Sequence, residues 1–416
     1  MIPSKPFAAP LHDSTLGALT RGYAWLPDRM RSADGAVYRT RLLGRPAVAV
    51  RGPEAVLFFY DEEHVVRKQA LPGPVLDTLF GRGAVHTLDG DAHRARKALF
   101  MTLLKDDESV AHLCTLVRRR WRDAMEEASR AGEPVVLFDT AAEVLALAVR
   151  DWAGIPPPDA EAAGLAHDCV AMVDGFAAPG LRHLRARRAR TRQENAMGGL
   201  VGAVRESPTD DDSPTALEAV AQHRNLDGEL LDTHTAAVEL LNIVRPTIAI
   251  AWFVTFAAHA LHRWPHHRKL LRADPTGKHA LACAHEVRRF YPFAPFVGGL
   301  AARDLTWRGE RIEKGTMLLL DLYGQNHDPD LWAHPYRFEP HRFSRAPRLP
   351  DGLVPQGGGD PARGHRCPGE DITVAVLSTL VTELAELEYS VPPQDLTIPL
   401  SRVPTLPRSG FVLSLA

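Results

Sequence analysis

The stretch Leu231–Leu261 is the longest helical segment in this chain, and it is apolar almost all round. A helix without a polar face belongs inside a fold, covered by other elements. At about 1.5 Å rise per residue it spans roughly 45 Å, enough to cross a whole domain. Its longest uncharged run, Pro246–Ala258, is too short to cross a bilayer. Arg245-Pro246 stands in the middle, and both residues are wrong for an ordinary buried helix. Pro246 has no N–H and its ring crowds the carbonyl of Asn242, so a kink is expected there at a cost of about 3 kcal/mol. Arg245 brings a charge that deprotonation cannot remove, and burying it without an anion is very unfavourable. Two anions remain open: an internal carboxylate, such as Glu239 or an acid on another helix, and the carboxylate of a substrate.

Most of the remaining chain also reads as helix. Leu113–Ala131 and Leu137–Trp152 carry apolar residues at helical spacing. Tyr38–Arg51 suggests a small sheet with a helix after it over Ala55–Phe59, giving a β-rich subregion at about 35–75. Val297–Leu320 reads as short strands, with Leu305–Trp307, a turn at Arg308-Gly309-Glu310, then Thr316–Leu320. Ser207–Pro214 is a polar break, placed in a surface loop at about 205–215. A loop is preferred to a domain linker, because the apolar helices on both sides need partners. The expected organisation is one domain over 1–416.

The net charge of -2 gives no general attraction to nucleic acid or an anionic membrane. Cys114, Cys169, Cys283 and Cys367 are widely spaced and form no CxxC pair, which argues against a zinc site or a disulfide framework. Residues Met1–Met30 are interrupted by Lys5, Asp13, Arg21 and Asp28, so neither a signal peptide nor a membrane anchor is expected, and the chain reads as cytoplasmic.

One of those cysteines has unusual surroundings. Pro355-Gln356-Gly357-Gly358-Gly359 is followed by Gly364-His365-Arg366-Cys367-Pro368-Gly369. Glycines leave room for a flat macrocycle and for backbone N–H groups aimed at sulfur. His365 and Arg366 offer donors to the carboxylates of a porphyrin edge. Cys367 is therefore read as the axial ligand of a heme iron, the alternative being a buried structural cysteine in a Gly-rich turn.

Two charged patterns complete the reading. Glu286 and Arg289 lie three residues apart on one helix face, where such a pair usually makes a surface salt bridge. With Arg342 from Phe338-Glu339-Pro340-His341-Arg342-Phe343, a glutamate between two arginines would lock the segment leading to Cys367. The arginine-rich stretch Arg182–Arg192 is read as a solvated helix face rather than a docking site for an acidic partner.

In this order, the central helix, Glu286-x-x-Arg289, Arg342 and the cysteine loop resemble the cytochrome P450 (heme-thiolate) superfamily over most of the chain. The resemblance implies its mainly α fold with small β-sheets and a heme b held between the central helix and the cysteine loop. Ordinary monooxygenases of that superfamily carry an acid–alcohol pair where this chain has Arg245-Pro246. That change, with Arg-Arg-Phe-Tyr-Pro-Phe at 288–293, Leu-Asp-Leu-Tyr-Gly at 320–324 and Gln-Gly-Gly-Gly-Asp at 356–360, is similar to the bacterial fatty-acid peroxygenases. His341 departs from the family's meander, where an acid is usual, although Arg342 is kept.

The resemblance implies hydrogen peroxide and a long-chain fatty acid as reactants, oxidation at Cα or Cβ by hydroxylation or by decarboxylation to a terminal alkene, and no redox partner. It gives catalytic roles to Arg245, Pro246 and His86, with Arg245 docking the substrate carboxylate. Cys367 becomes the metal ligand. His93, Lys97 and His365, with Tyr60 and Arg67, are placed at the heme carboxylates. Phe80 and Phe293 are placed along the substrate pocket with His86 and Arg245. Two rivals stay in view: a ferredoxin-dependent cytochrome P450 monooxygenase acting on another small molecule, and a non-catalytic heme- or fatty-acid-binding protein.

Overall fold

Burial of apolar side chains holds the long helices together, and polar side chains cap some of them. A computed structural model describes residues 12–33, 37–156, 162–207, 213–344 and 349–416. The helices that build the site are α1 (Pro53–Tyr60), α2 (Gly90–Leu104), α3 (Asp107–Ala131), α4 (Leu137–Ala153), α5 (Ala162–Gly175), α6 (Leu181–Glu206), α7 (Thr233–Ile248), α8 (Ile250–Arg263), α9 (His266–Arg272), α10 (Lys278–Phe290) and α11 (Glu370–Glu386). Asp106 caps α3 by accepting from the Ser109 amide at 2.7 Å, and Asp232 caps α7 through the Thr235 amide at 2.9 Å.

The central segment is two helices end to end. α7 runs through Pro246 unbroken, and the interruption falls at Ala249, not at the expected Pro246. The ladder recovers after the missing proline donor, since the Ala249 amide reaches Arg245 O at 3.0 Å. The misfit emerges as a tightened turn, with the Trp252 amide donating to Ala249 O at 3.2 Å. Both halves are buried as their composition demands. α7 packs on α4 and α6, and α8 on α4 and α11. Residues 233–263 are long and apolar enough by composition to cross a membrane, yet 94% of their most apolar window is inside the fold.

The sheet is made by strands far apart in sequence. β1 (Val37–Leu42) pairs antiparallel with β2 (Arg45–Val50), and β3 (Val65–Val66) lies at the opposite edge. β4 (Phe296–Ala301) is followed by the hairpin β5 (Leu305–Trp307) and β6 (Glu310–Ile312), then β7 (Met317–Asp321). The hairpin turns on Arg308 and Gly309, both with positive φ. The five-stranded sheet has the order β1-β2-β7-β4-β3, with β2 and β7 parallel. α1 follows β2 and carries Tyr60 to the cysteine loop.

Two expectations need correction. Glu286 and Arg289 are both fully buried rather than superficial. Arg289 grips Glu286 in a fork at 2.7 and 2.8 Å, and Arg342 Nε stands 3.2 Å from the same carboxylate. Arg289 also donates to Asn326 O and Pro335 O, so the charge cluster ties α10 to the segment leading to the cysteine. The basic stretch of α6 is only partly a solvated face: Arg185, Arg187 and Arg188 are exposed, but Arg190 is buried. Of the polar break at 207–214, residues 208–212 lie outside the described residues, as does Lys5.

Candidate active site

The cysteine loop is shaped by its glycines. Gly357 and Gly359 have φ of 93° and 76°, a region other residues avoid. A Cβ on Gly357 would meet the Tyr60 hydroxyl at 2.3 Å, and one on Gly359 would meet Tyr60 Cβ at 2.8 Å. Their bareness lets α1 lie against the loop. The Cys367 amide donates to Gln356 O at 3.2 Å, which turns the sulfur to the end of α11. Burial pushes the thiol up, while the Gly369 amide and the charges of Lys97 and Arg288 pull it down. Gln356 Nε2 approaches the sulfur at 3.7 Å and donates to Thr373 Oγ1 at 3.1 Å.

Buried charges brace this loop. Arg288 donates through Nε to Gln356 Oε1 at 2.9 Å and through Nη2 to Glu370. Arg366 reaches the other oxygen of Glu370 at 2.7 Å. Lys97 donates to Gly364 O at 3.1 Å and Arg366 O at 2.6 Å. Burial lowers its pKa to about 8, against the pull of Cys367 and Asp360.

The residues expected at the heme carboxylates converge on one flank. The rings of His93 and His365 stack with centroids 3.9 Å apart. Arg67 lies 4.2 Å from the Phe59 ring and 5.6 Å from that of Tyr60, and donates to Gly298 O at 2.7 Å. Burial, with the charges of His365 and Lys97, lowers His93 to about 3. Its Nδ1 is buried and has no hydrogen-bond partner among the described residues.

Across the site, α7 presents Arg245. The guanidinium is buried, and Nη2 donates to Asn242 Oδ1 at 3.1 Å. Its Nε has no partner, and no carboxylate lies within 4.0 Å of it among the described residues. Glu239, the internal anion proposed for it, is engaged elsewhere. It accepts from Arg96 at 2.9 Å, from the Val85 amide at 2.7 Å and from Asn242 Nδ2 at 3.3 Å. Burial, reinforced by the Arg190 charge, lowers Arg245 to about 9.

Phe80 and His86 complete this wall. Their rings are 4.4 Å apart, and the Arg245 guanidinium is 5.9 Å from the Phe80 centroid. Asn242 Nδ2 holds Phe80 O at 2.9 Å. Burial and then the Arg245 charge hold His86 well below its usual range, so it is neutral, and its Nδ1 is unpartnered. Phe293 sits further along, 4.8 Å from Phe253 and 6.3 Å from Trp252, with no contact to Arg245 among those described. Pro246 is the single exposed residue between Ala236 and Leu261. An exposed proline in a buried helix means that this turn faces open space.

The cytochrome P450 family profile matches residues 280–407. A solved variant of cytochrome P450SP alpha (CYP152B1) superposes with a TM-score of 0.92 at 39% identity, over 97% of this chain and 98% of that one. The chain belongs to the CYP152 family of cytochromes P450. Cytochrome P450EX alpha (CYP152N1), solved with myristic acid, gives 0.90 at 38% identity over 97% and 96% of the two chains. A variant of cytochrome P450 OleT, solved with arachidonic acid, gives 0.92 at 34% over 97% and 96%. Curated relatives match over shorter stretches. Cytochrome P450 137 of Mycobacterium tuberculosis is 26% identical over 202 residues, 47% of this chain, and the match spans 41% of that protein.

Family membership implies a heme-thiolate cofactor, and the residues present fit one. Cys367 is only half-buried although its loop is braced by buried charge, and Pro246 is exposed on a buried helix. His93 Nδ1 makes no hydrogen bond among the described residues; it lies near the basic groups of His365, Lys97 and Arg67, with Glu62 Oε1 4.0 Å away. Sequence reasoning missed four residues that organise the site: Arg96, Arg190, Asn242 and Gln356. Arg190 donates to Leu79 O at 2.6 Å and pairs with Glu194, so it clamps the chain just before Phe80. Only Gln356 carried a local signal, from its place beside the three glycines.

Proposed function

We propose that this protein is a single-domain peroxygenase that uses hydrogen peroxide to oxidise long-chain fatty acids at Cα or Cβ. The observation that carries this reading is the buried Arg245 guanidinium without an acidic partner. A charge in that state has an unmet need for an anion. A fatty-acid carboxylate supplies it, and the aromatic wall of Phe80 and, further along, Phe293 suits an acyl chain. The ligands named with the CYP152 structures, myristic acid, arachidonic acid and (R)-ibuprophen, are all carboxylic acids.

In this reading Cys367 binds the iron of heme b. His93, His365, Tyr60, Arg67 and Lys97 hold its carboxylate edge. Heme supplies redox chemistry at iron, and a thiolate ligand favours O–O cleavage. Arg245 binds the substrate carboxylate and fixes Cα and Cβ beside the reacting centre. Pro246 has no group that exchanges a proton, so the substrate carboxylate held on Arg245 carries the proton. The neutral imidazole of His86, beside Phe80, influences the partition between hydroxylation and decarboxylation. Reducing equivalents come with the peroxide, so no redox partner is needed. The four free cysteines suit the reducing cytoplasm.

The test is turnover of medium- to long-chain fatty acids by the purified holoenzyme with hydrogen peroxide alone, products being identified by mass spectrometry. Arg245→Ala is expected to keep heme and lose turnover, and His86→Gln to change the ratio of alkene to hydroxy acid. Full turnover by Arg245→Ala would remove the docking role. A requirement for added redox proteins would favour the monooxygenase instead.

A further inference from the structure

A second cluster of chemically active side chains lies outside this site. α9 contributes His267, and α10 contributes His279 and Cys283, four residues apart and therefore side by side on one helix face. One ligand atom from each of the three falls within 4.8 Å of the others. His267 Nδ1 and His279 Nε2 are 3.3 Å apart. Two nitrogens bound at about 2.0–2.1 Å to a common tetrahedral zinc stand roughly 3.3–3.4 Å apart. The rings are already spaced as the edge of such a site.

The cluster is largely buried. His267 and Cys283 are 6% and 2% exposed. His267 Nε2 is buried and has no hydrogen-bond partner among the described residues, which leaves His279 as the ring's polar contact. An imidazole nitrogen that carries no proton offers a lone pair to a metal.

We propose that His267, His279 and Cys283 form a binding site for a borderline-soft transition metal ion, with Zn²⁺ as its type. On binding, the Cys283 S–H bond breaks, a metal–sulfur bond forms, and the proton leaves to solvent. No oxidation is involved. The site ties α9 to α10 one turn before Glu286, the buried acid that holds the segment leading to Cys367. The lack of a CxxC pair hid it, because its ligands come from a His-x₃-Cys turn and a separate helix.

The test is Zn²⁺ titration of chelator-treated, dialysed holoenzyme against a chromophoric competitor, with proton release followed in weak buffer. One Zn²⁺ per chain is expected, with one proton released at pH 7. Cys283→Ala and His279→Gln should each weaken binding at least about ten-fold, and Cys283→Ala should abolish the proton release. His234→Gln, at an exposed histidine, should change nothing. An unaltered heme spectrum shows that each variant is folded. Failure to retain Zn²⁺, or retention that neither ligand variant weakens, overturns the site and leaves a plain His267–His279 hydrogen bond.

Discussion

Arg245 Nη2 donates to Asn242 Oδ1 at 3.1 Å, so the partner of this buried cation is a neutral amide one turn back on the same helix. An amide orients a guanidinium without neutralising it. The charge stays available to an incoming anion while the geometry is already fixed.

That relationship can be broken by a change of one atom type. Asn242→Asp places a carboxylate on Arg245 and satisfies the charge internally, while giving up the Nδ2 donors to Phe80 O and Glu239. Fatty-acid affinity, read from the heme spectral shift, is expected to fall at least about ten-fold, or about 1.4 kcal/mol. Asn242→Ala, which removes the tether and adds no anion, is expected to weaken binding less. Equal affinities for Asn242→Asp and the parent would show that the lipid head is bound elsewhere.

Glu239 illustrates the opposite arrangement, a buried acid fully committed to Arg96 and the Val85 amide. Glu239→Gln strands the Arg96 charge, and denaturant unfolding is expected to show a loss of about 3–5 kcal/mol. Replacing both partners, as Glu239→Leu with Arg96→Met, should recover most of that loss. A cost near zero for the single change would mean that water reaches the pair.

Asp321, at the end of β7, gives a pH signature. Burial raises its carboxyl to about 7, against the Gly324 amide and Arg51 that pull it down. Its folded pKa lies above the value of 3.8 for an unperturbed Asp, so the native state binds the extra proton between them. This contribution to stability is complete below about 4 and is lost as pH rises through about 7. The displacement corresponds to a few kcal/mol. Asp321→Asn keeps a cap oxygen for the Gly324 amide and should remove that slope in unfolding measured from pH 5 to 8. An unchanged slope would assign the dependence to other groups.

What could be read from the chain followed sequence separation. The cysteine loop was legible because Gln356 through Gly369 hold their functional residues within one short segment. The buried central helix was legible because composition alone forbids a surface. Which acid meets which arginine was not: Arg96 and Glu239 are 143 residues apart, and nothing local marks them as partners. The depth of Glu286–Arg289 was missed for the same reason, since an i,i+3 pair looks alike inside and outside. The position of the break at Ala249 depends on how the ladder recovers after Pro246, which packing decides.

Arg245, in the proposed reaction, selects a free carboxylate. The most direct measurement compares a long-chain fatty acid with its methyl ester at equal concentration, in peroxide-driven turnover by the same holoenzyme. The acid should be converted and the ester left essentially untouched, because the ester offers no negative charge to the guanidinium. Comparable turnover of the two would show that Arg245 does not select the substrate by its charge.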